Sequence, residues 1–457
     1  MSEYALKNGG ENLYQLVFNQ VTDEQIQKLG IKTDQQRMDS TQLLSHIADL
    51  SRLELLIQVI QRLHRLLDEA DQQQYAEIFA PFIGLSAGQY TYRIKGKQAV
   101  WERIQQIGIV LYDLLGQLAG KYSQEDRYQV AQRFFEENFQ LEETQVRAKT
   151  NSEIQAGCLQ SLDDLEASYR KKGNRTYKGY VGNLSETCHP DNPLQLIVYT
   201  RTAENRKHDT HLLDEDLPEL KARTGLEQLV TDGGYVGPEI DQDMREQGVE
   251  HITTGLTGTL PDHQDGKLAL SDFEMELDQE GHVLAAVCPA EQSATVSCSP
   301  SGKSFPLLFS PEACQQCAFY QDHQCPVRAN PKKTRFWLTV PKDRASSSQR
   351  RRRFERCKEE ARQLRPAIEG TIFQVKHALR GGKLRVRGLF RVGWAFTGSA
   401  LATNLRRIHR YENNRQRGKL TSKRSQGAAV NAFLTALGGW LRPFYRPLLA
   451  MSPDFGC

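Results

Sequence analysis

The sequence predicts an α/β protein: a mixed sheet flanked by helices, interrupted by an all-helical insertion and by a small cysteine-rich one. Three observations carry this. Apolar residues recur at helical spacing early in the chain, at Leu44, Ile47, Leu50, Leu53, Ile57, Ile60 and Leu63. From "RTYKGYVGNLSETC" onward the period changes to two, and short strand and helix patterns then alternate. Five of the nine cysteines fall between Cys288 and Cys325, in a stretch rich in turn residues.

Taken in order, "ENLYQLVFNQVTDEQIQKLG" reads as a helix, and "IKTDQQRMDSTQ" changes register, with Asp39 at the end of a first strand. Thr41 to about Gly120 and Gln124 to Glu142 read as helical. Next come the strand "RTYKGYVGNLSETC", the strand "PLQLIVYTRTA", the helix "DTHLLDEDLPELKART" and the strand "EQLVTDGG". "PEIDQDMREQG" opens on Pro and closes on Gly, as a short helix should, and "VEHITTG" is a further strand. Residues 258–340 read as irregular, and "ASSSQRRRRF" as an exposed junction. "FERCKEEARQLRPAIEGTIFQVKHALRG" returns to helix and stops at Gly381 and Gly382. The expected division is 1–43, 44–160, 161–257, 258–345 and 346–457, without internal repeats.

With 39% apolar and 25% charged residues the chain is globular rather than disordered. No N-terminal segment resembles a signal peptide. The greasiest stretch, "AAVNAFLTALGGWLRPFYRPLLAM", holds paired glycines, two arginines and two prolines, so a core helix is expected and not a membrane span. A cytoplasmic location follows as an expectation. The net charge of +3 hides an asymmetry: residues 331–425 hold 27 Lys and Arg against 6 Asp and Glu, leaving 32 basic and 50 acidic residues elsewhere. Such a basic segment points to nucleic acid, the alternative being a solvated basic face. Arg350 to Arg353, Arg385 and Arg387, and then Arg406, Arg407, Arg410 and Arg415 are its candidate phosphate contacts.

Cys314 and Cys317 form a C-x2-C pair, with Cys325 eight residues later and Cys288 26 residues before Cys314. Four thiolates at this spacing suit one tetrahedral, structural Zn2+, with Cys298 or His323 as a substitute ligand. Disulfides and unconnected buried thiols are the alternatives. Three carboxylates also stand out. Asp232 in "LVTDGGYVGPE" ends a strand before two glycines, a pattern shared with ordinary tight turns. Asp39 lies in "QRMDSTQ", and Glu369 follows Arg365 by four residues and precedes Lys376 by seven, close to one helix face. A surface i, i+4 ion pair would look the same.

Together these motifs resemble the DDE transposases of bacterial insertion sequences. Arg365, Glu369 and Lys376 match three of four positions of that family's Y-x2-R-x3-E-x6-K signature, with Arg362 at the Tyr position. "MDST" and "TDGGY" resemble its first and second acid boxes, and one lineage also carries a cysteine-rich insert before the Glu and a "YRKKG...TYKGYVGNLSETC" stretch. The resemblance implies an RNase H-like core and phosphodiester cleavage and joining with two Mg2+ or Mn2+ ions held by Asp39, Asp232 and Glu369, with Asp232 bridging. It implies that Gly233 and Gly234 make room for a DNA strand, and that Arg365 and Lys376 bind phosphate. The implied partners are double-stranded DNA, as terminal inverted repeats and target, and further copies of the chain, at a bacterial nucleoid. Asp163, Asp164 and Glu166 offer a rival first acid; Asp39 fits better, ahead of the helical insert. Only 38 residues precede Asp39, so an N-terminally shortened chain is expected. A catalytically silent DNA-binding derivative and an RNase H-like nuclease stand as the other readings.

Overall fold

The computed structural model describes residues 13–143, 145–256, 266–299, 301–379 and 383–420, the side chains of 417–420 excepted. The expected helix stop at Gly381 and Gly382 and the apolar stretch 428–451 lie outside the described residues. Contacts divide the chain into Met1–Asn404 and Leu405–Cys457. The described part of the second unit is helical and carries Arg406, Arg407, Arg410 and Arg415, with Asn413 Nδ2 and His409 Nε2 2.9 Å apart. Among the described residues no helix is long and apolar enough to cross a membrane.

The first unit is built on a mixed six-stranded sheet. Strands β1 (Gln35–Leu44), β4 (Ser168–Lys172), β5 (Arg175–Thr187), β6 (Ile197–Glu204), β7 (Gln228–Thr231) and β8 (Glu250–Thr253) run in the order β4-β5-β1-β7-β8, with β6 also on β5. β1 pairs antiparallel with β5 and parallel with β7, which pairs parallel with β8. Side-chain alternation along β1 feeds two cores. Met38 joins Leu213, Leu217 and Ile240 of helices α5 (Asp209–Thr224) and α6 (Pro238–Glu246). Leu43, from the opposite face, joins Phe18 of helix α1 (Leu13–Leu29), Ile368 and Val375 of α7 (Lys342–Ala378), and Phe396 of α8 (Leu389–Leu420). The result is helix, sheet and helix in three layers.

Asp39 stands in the middle of β1 rather than at its end, and the strand continues to Leu44, so the helical block starts later than its apolar spacing suggested. Helix α2 (Arg52–His64) begins where Ser51 and Glu54 close a capping box, a stronger local start signal than Leu44, Ile47 or Leu50. With α3 (Lys97–Tyr122) and α4 (Asp126–Asn138) it packs around its own core of Leu56, Ile60, Leu111, Leu114 and Phe134. The helix expected to reach Glu142 ends at Asn138. A hairpin follows, β2 (Phe139–Glu142) and β3 (Gln145–Ala148), where Gln105 Nε2 donates to the Val146 carbonyl and its Oε1 accepts the Ala148 N–H.

The segment expected to be irregular is instead an antiparallel sheet. Its strands β9 (Glu274–Leu277), β10 (Val283–Val287), β11 (Ser293–Val296), β12 (Ser304–Phe309), β13 (Arg328–Ala329) and β14 (Phe336–Pro341) run in the order β13-β14-β12-β11-β10-β9. "SFPLLF" and "FWLTVP" alternate between buried and more open positions, burying Phe305, Leu307, Phe336 and Val340 in a second core. "ASSSQRRRRF" is no junction either, since it lies inside the 37-residue α7. Its charges are taken up locally: Arg350 Nε donates to the buried Asp241 at 2.8 Å, and Arg352 pairs with Glu274 at 3.0 Å. These two arginines tie α7 to α6 and β9, Arg350 through a buried pair and Arg352 through an exposed one.

Candidate active site

Three carboxylates come together at the carboxyl end of the sheet, and a single arginine touches them all. Asp39 is placed by β1, and its Oδ1 accepts the N–H of Ser40 at 2.8 Å. Asp232 follows β7 and caps the short turn Gly233–Tyr235, its Oδ1 accepting the Gly234 N–H at 2.8 Å. Glu369 lies on α7, one turn beyond Arg365. The Arg365 guanidinium stands 3.2 Å from Glu369, 3.6 Å from Asp232 and 3.9 Å from Asp39, and reaches the Thr254 hydroxyl at 3.2 Å. Asp39, Asp232 and Arg365 border one narrow recess; Glu369 is 61% exposed and reaches the group only through the arginine.

Burial, reinforced by the Asp232 carboxylate, pushes Asp39 up to about 6 from its ordinary 3.8, although the Ser40 N–H and Arg365 pull the other way. For Arg365 burial opposes the charge, but Asp39 and Asp232 outweigh it and the guanidinium is held more firmly protonated than usual. Behind Asp232, the Thr231 hydroxyl lies 3.0 Å from the Asp232 carbonyl and 2.8 Å from His251 Nε2. Burial, with Arg353 and Arg350 nearby, lowers His251 to about 3, so it is neutral at pH 7. If the hydroxyl donates to the carbonyl, Nε2 must carry the ring proton and donate to Thr231.

Helix α7 is fixed against β1 by a buried network. Arg37 Nε donates to Glu186 at 2.7 Å, Arg37 Nη1 donates to the Leu364 carbonyl at 3.1 Å, and the Thr371 hydroxyl donates to Glu186 at 2.7 Å. Leu364 and Thr371 bracket Arg365 and Glu369, so this network sets where those two stand relative to Asp39. Nothing in the sequence points to it, because an Arg and a Glu 149 residues apart give no local signal.

The two glycines after Asp232 are also required by the protein itself. A Cβ on Gly233 would sit 3.0 Å from the carbonyl carbon and oxygen of Gly255, and one on Gly234 would sit 2.9 Å from Asp232 Oδ1 and 3.1 Å from Asp209 Oδ2. Side chains at these two positions would press on backbone and on carboxylates. Gly233→Ala is expected to cost about 1–2 kcal/mol net, overpacking against backbone exceeding the gain from a stiffer unfolded chain. Urea denaturation measures it.

The rival first acid is elsewhere. Asp164 is 3% exposed, accepts the Tyr180 hydroxyl at 2.5 Å and the Gly388 N–H at 3.1 Å, and is also bonded by the Ser45 hydroxyl. Glu166 accepts the Leu389 N–H at 2.7 Å. Both cap the start of α8, and Asp163 pairs with Arg62. Asp164→Ala, leaving three donors unpaired, is expected to lower stability by about 2–4 kcal/mol, with the metal dependence of any activity unchanged at temperatures where the variant is folded.

The predicted phosphate ligands separate. Lys376 is half-buried, which lowers its pKa, and Arg385 is exposed; neither has an ion-pair partner among the described residues. Arg387 Nε is committed to the His46 carbonyl at 2.6 Å. Arg362, at the signature's Tyr position, pairs with Glu359 on the surface.

Cys288, Cys314, Cys317 and Cys325 line one small cavity beneath β12, and the eight described cysteines are all free thiols, so the disulfide alternative finds no support there. Burial, followed by the other cysteines of the group, pushes the Cys314 thiol up to about 11. Yet among the described residues no three His, Cys, Asp or Glu side chains stand in a metal-holding arrangement. The donors suit the expected ions, thiol sulfur for zinc and paired carboxylate oxygens for magnesium, but neither set is drawn into a cage, and at the carboxylates Arg365 stands between the ligands.

Residues 287–409 match the family model described as a transposase DDE domain. The matched span holds the cysteines from Cys288 to Cys325 together with Arg365, Glu369 and Lys376, and supports a DDE-type transposase; Asp39 and Asp232 precede it. No curated protein and no solved structure matches the chain.

Proposed function

We propose that this chain is a DNA transposase of an insertion sequence, cutting phosphodiesters at the ends of its element and joining the freed 3′-hydroxyls to target DNA. One observation carries the reading: Asp39, Asp232 and Glu369, from two strands and a late helix, are gathered within reach of one arginine. The strand pairing supports it: β1, β5 and β6 run antiparallel in turn and β7 and β8 follow parallel to β1, with α7 across the face, as in an RNase H-like core to which β4 is added on β5.

In this reading Asp39, Asp232 and Glu369 would hold two Mg2+ or Mn2+ ions. Bound there, the ions supply charge stabilisation for the attacking and leaving oxygens of an in-line displacement. The protein's part is placement. β1 and β7 fix the two aspartates, and the Arg37–Glu186 network fixes the helix that delivers Glu369. Arg365, held by carboxylates alone and the Thr254 hydroxyl, is free to exchange them for a substrate phosphate once their charge is neutralised. Lys376, Arg385 and the basic stretch from Arg406 to Arg415 would add contacts along the DNA backbone. The same reading places the protein on double-stranded DNA in a bacterial cytoplasm, as an oligomer when two ends are paired. One Zn2+ on Cys288, Cys314, Cys317 and Cys325 would brace the small sheet, which metal analysis of purified protein tests.

The deciding experiment incubates the protein with labelled element-end DNA and Mg2+ or Mn2+, beside Asp232→Asn. Metal-dependent nicking that the variant loses, followed by joining to target DNA, is the expected result. Nicking without joining would leave a nuclease. DNA binding with no nicking in either sample would leave a silent DNA-binding derivative.

A further inference from the structure

Asp209, the first residue of α5, was read from the sequence only as the start of a helix, yet it reaches the candidate site from the other face of the sheet. Its Oδ1 accepts the Ser40 hydroxyl at 2.9 Å, and the N–H of that same Ser40 is held by Asp39 Oδ1 at 2.8 Å. Ser40 is thus clasped by two carboxylates, its main chain by Asp39 and its side chain by Asp209. Asp209 Oδ2 lies 3.1 Å from the position a Gly234 Cβ would take, and Asp232 Oδ1 lies 2.9 Å from that position, so the two acids share the space of the missing side chain. Asp209 itself is 12% exposed and is anchored 3.5 Å from Arg170, whose Nη1 donates to the Lys207 carbonyl.

We infer that Asp209 is a positioning residue for the carboxylate pair: through Ser40 it fixes β1 at Asp39, and across Gly234 it backs Asp232. This rests on the reading of Asp39 and Asp232 as the reaction's acids. Asp209 is not assigned as a ligand, because its near oxygen is spent on Ser40 and the other faces Arg170. Partners that orient ligands are worth about 10–100-fold in affinity or rate when removed.

The test uses the full chain and Mn2+ alone, with calorimetric affinity on DNA-free protein as the first readout and nicking as the second. Asp209→Ala should weaken Mn2+ binding about tenfold and lower kcat with the KM for DNA unchanged. Ser40→Ala should reproduce most of that loss, and the double variant should be no worse than Asp209→Ala. Asp209→Asn, whose amide oxygen still accepts the Ser40 proton, should restore affinity to within about threefold of wild type. Asparagine as damaging as alanine would make Asp209 a direct ligand and overturn the positioning role. So would full affinity in both Ser40→Ala and Asp209→Ala, or additive losses in the double variant. If Asp209→Ala fails to fold, the Ser40→Ala and Asp209→Asn results decide alone. A wild-type chain that neither binds Mn2+ nor nicks DNA sinks the function proposed above, a failure distinct from a wild type that does both while the variants match it.

Discussion

Asp39→Asn is expected to do two opposite things: to cut metal-dependent nicking by about a thousandfold or more, and to make the protein more stable at pH 7 in the absence of added metal. The first follows from the proposed role. Divalent-ion catalysis supplies several kcal/mol of charge stabilisation, and each 1.36 kcal/mol is tenfold in rate. The second follows from burial. Asp39 has its pKa pushed up to about 6 from 3.8 by its buried position and by Asp232, so folding disfavours its charged form. Between those two values the folded chain binds the proton that the unfolded chain has released. Stability from this group is therefore fully present below about pH 4 and is lost as pH rises through about 6, on the order of 2–3 kcal/mol in all. Asparagine has no charge to desolvate, so the variant's advantage should grow over that interval and vanish below it. Urea unfolding of both proteins from pH 4 to pH 8 measures this. A variant no more stable than wild type at pH 7 would mean that Asp39 is not held under strain.

Glu186→Ala should be strongly destabilising, at about 3–5 kcal/mol. Glu186 is fully buried, and its loss leaves Arg37, 9% exposed, without its carboxylate inside the sheet while also taking one acceptor from the Thr371 hydroxyl. Replacing Arg37 by Met together with Glu186 by Leu should recover much of the loss, since a packed apolar pair avoids the desolvation of both ions. Thermal and urea unfolding of the single and double variants check this. If the double variant is stable but its nicking stays depressed, the network's contribution is the placement of α7 and not stability alone.

How much of this was legible beforehand depended on whether the signal was local. Strands β6, β7 and β8 and helices α5 and α6 were readable, because the local signals agreed within each segment, period in the strands and, in α6, Pro at the start and Gly at the end. The start of α2 was misread because Leu44, Ile47 and Leu50 happen to continue its spacing, whereas Ser51 and Glu54 decide it. The antiparallel sheet from β9 to β14 was missed because its strands are short and broken by turns, and its alternation becomes clear only once partners are known. At the site, Asp39, Asp232, Arg365 and Glu369 were named from the resemblance of their motifs to those of DDE transposases. Asp209, Glu186 and His251 were not, because their parts depend on pairings across 20 to 185 positions of chain. Nor does sequence say that Gly233 faces Gly255.

Helix α7 has a mechanical consequence. At 37 residues it is a rod about 55 Å long, clamped at Arg350 and Arg352 by α6 and β9. Glu369 lies 19 residues beyond Arg350, about 28 Å along the axis, and a second hold sits beside it, with Arg37 on the Leu364 carbonyl and Thr371 on Glu186. Pro366, which withholds one N–H from the ladder just before Glu369, falls between Leu364 and Thr371, inside that second hold. The rod is therefore gripped at two places about 20 Å apart, and the bearing of Glu369 is set by both grips together rather than by the site alone.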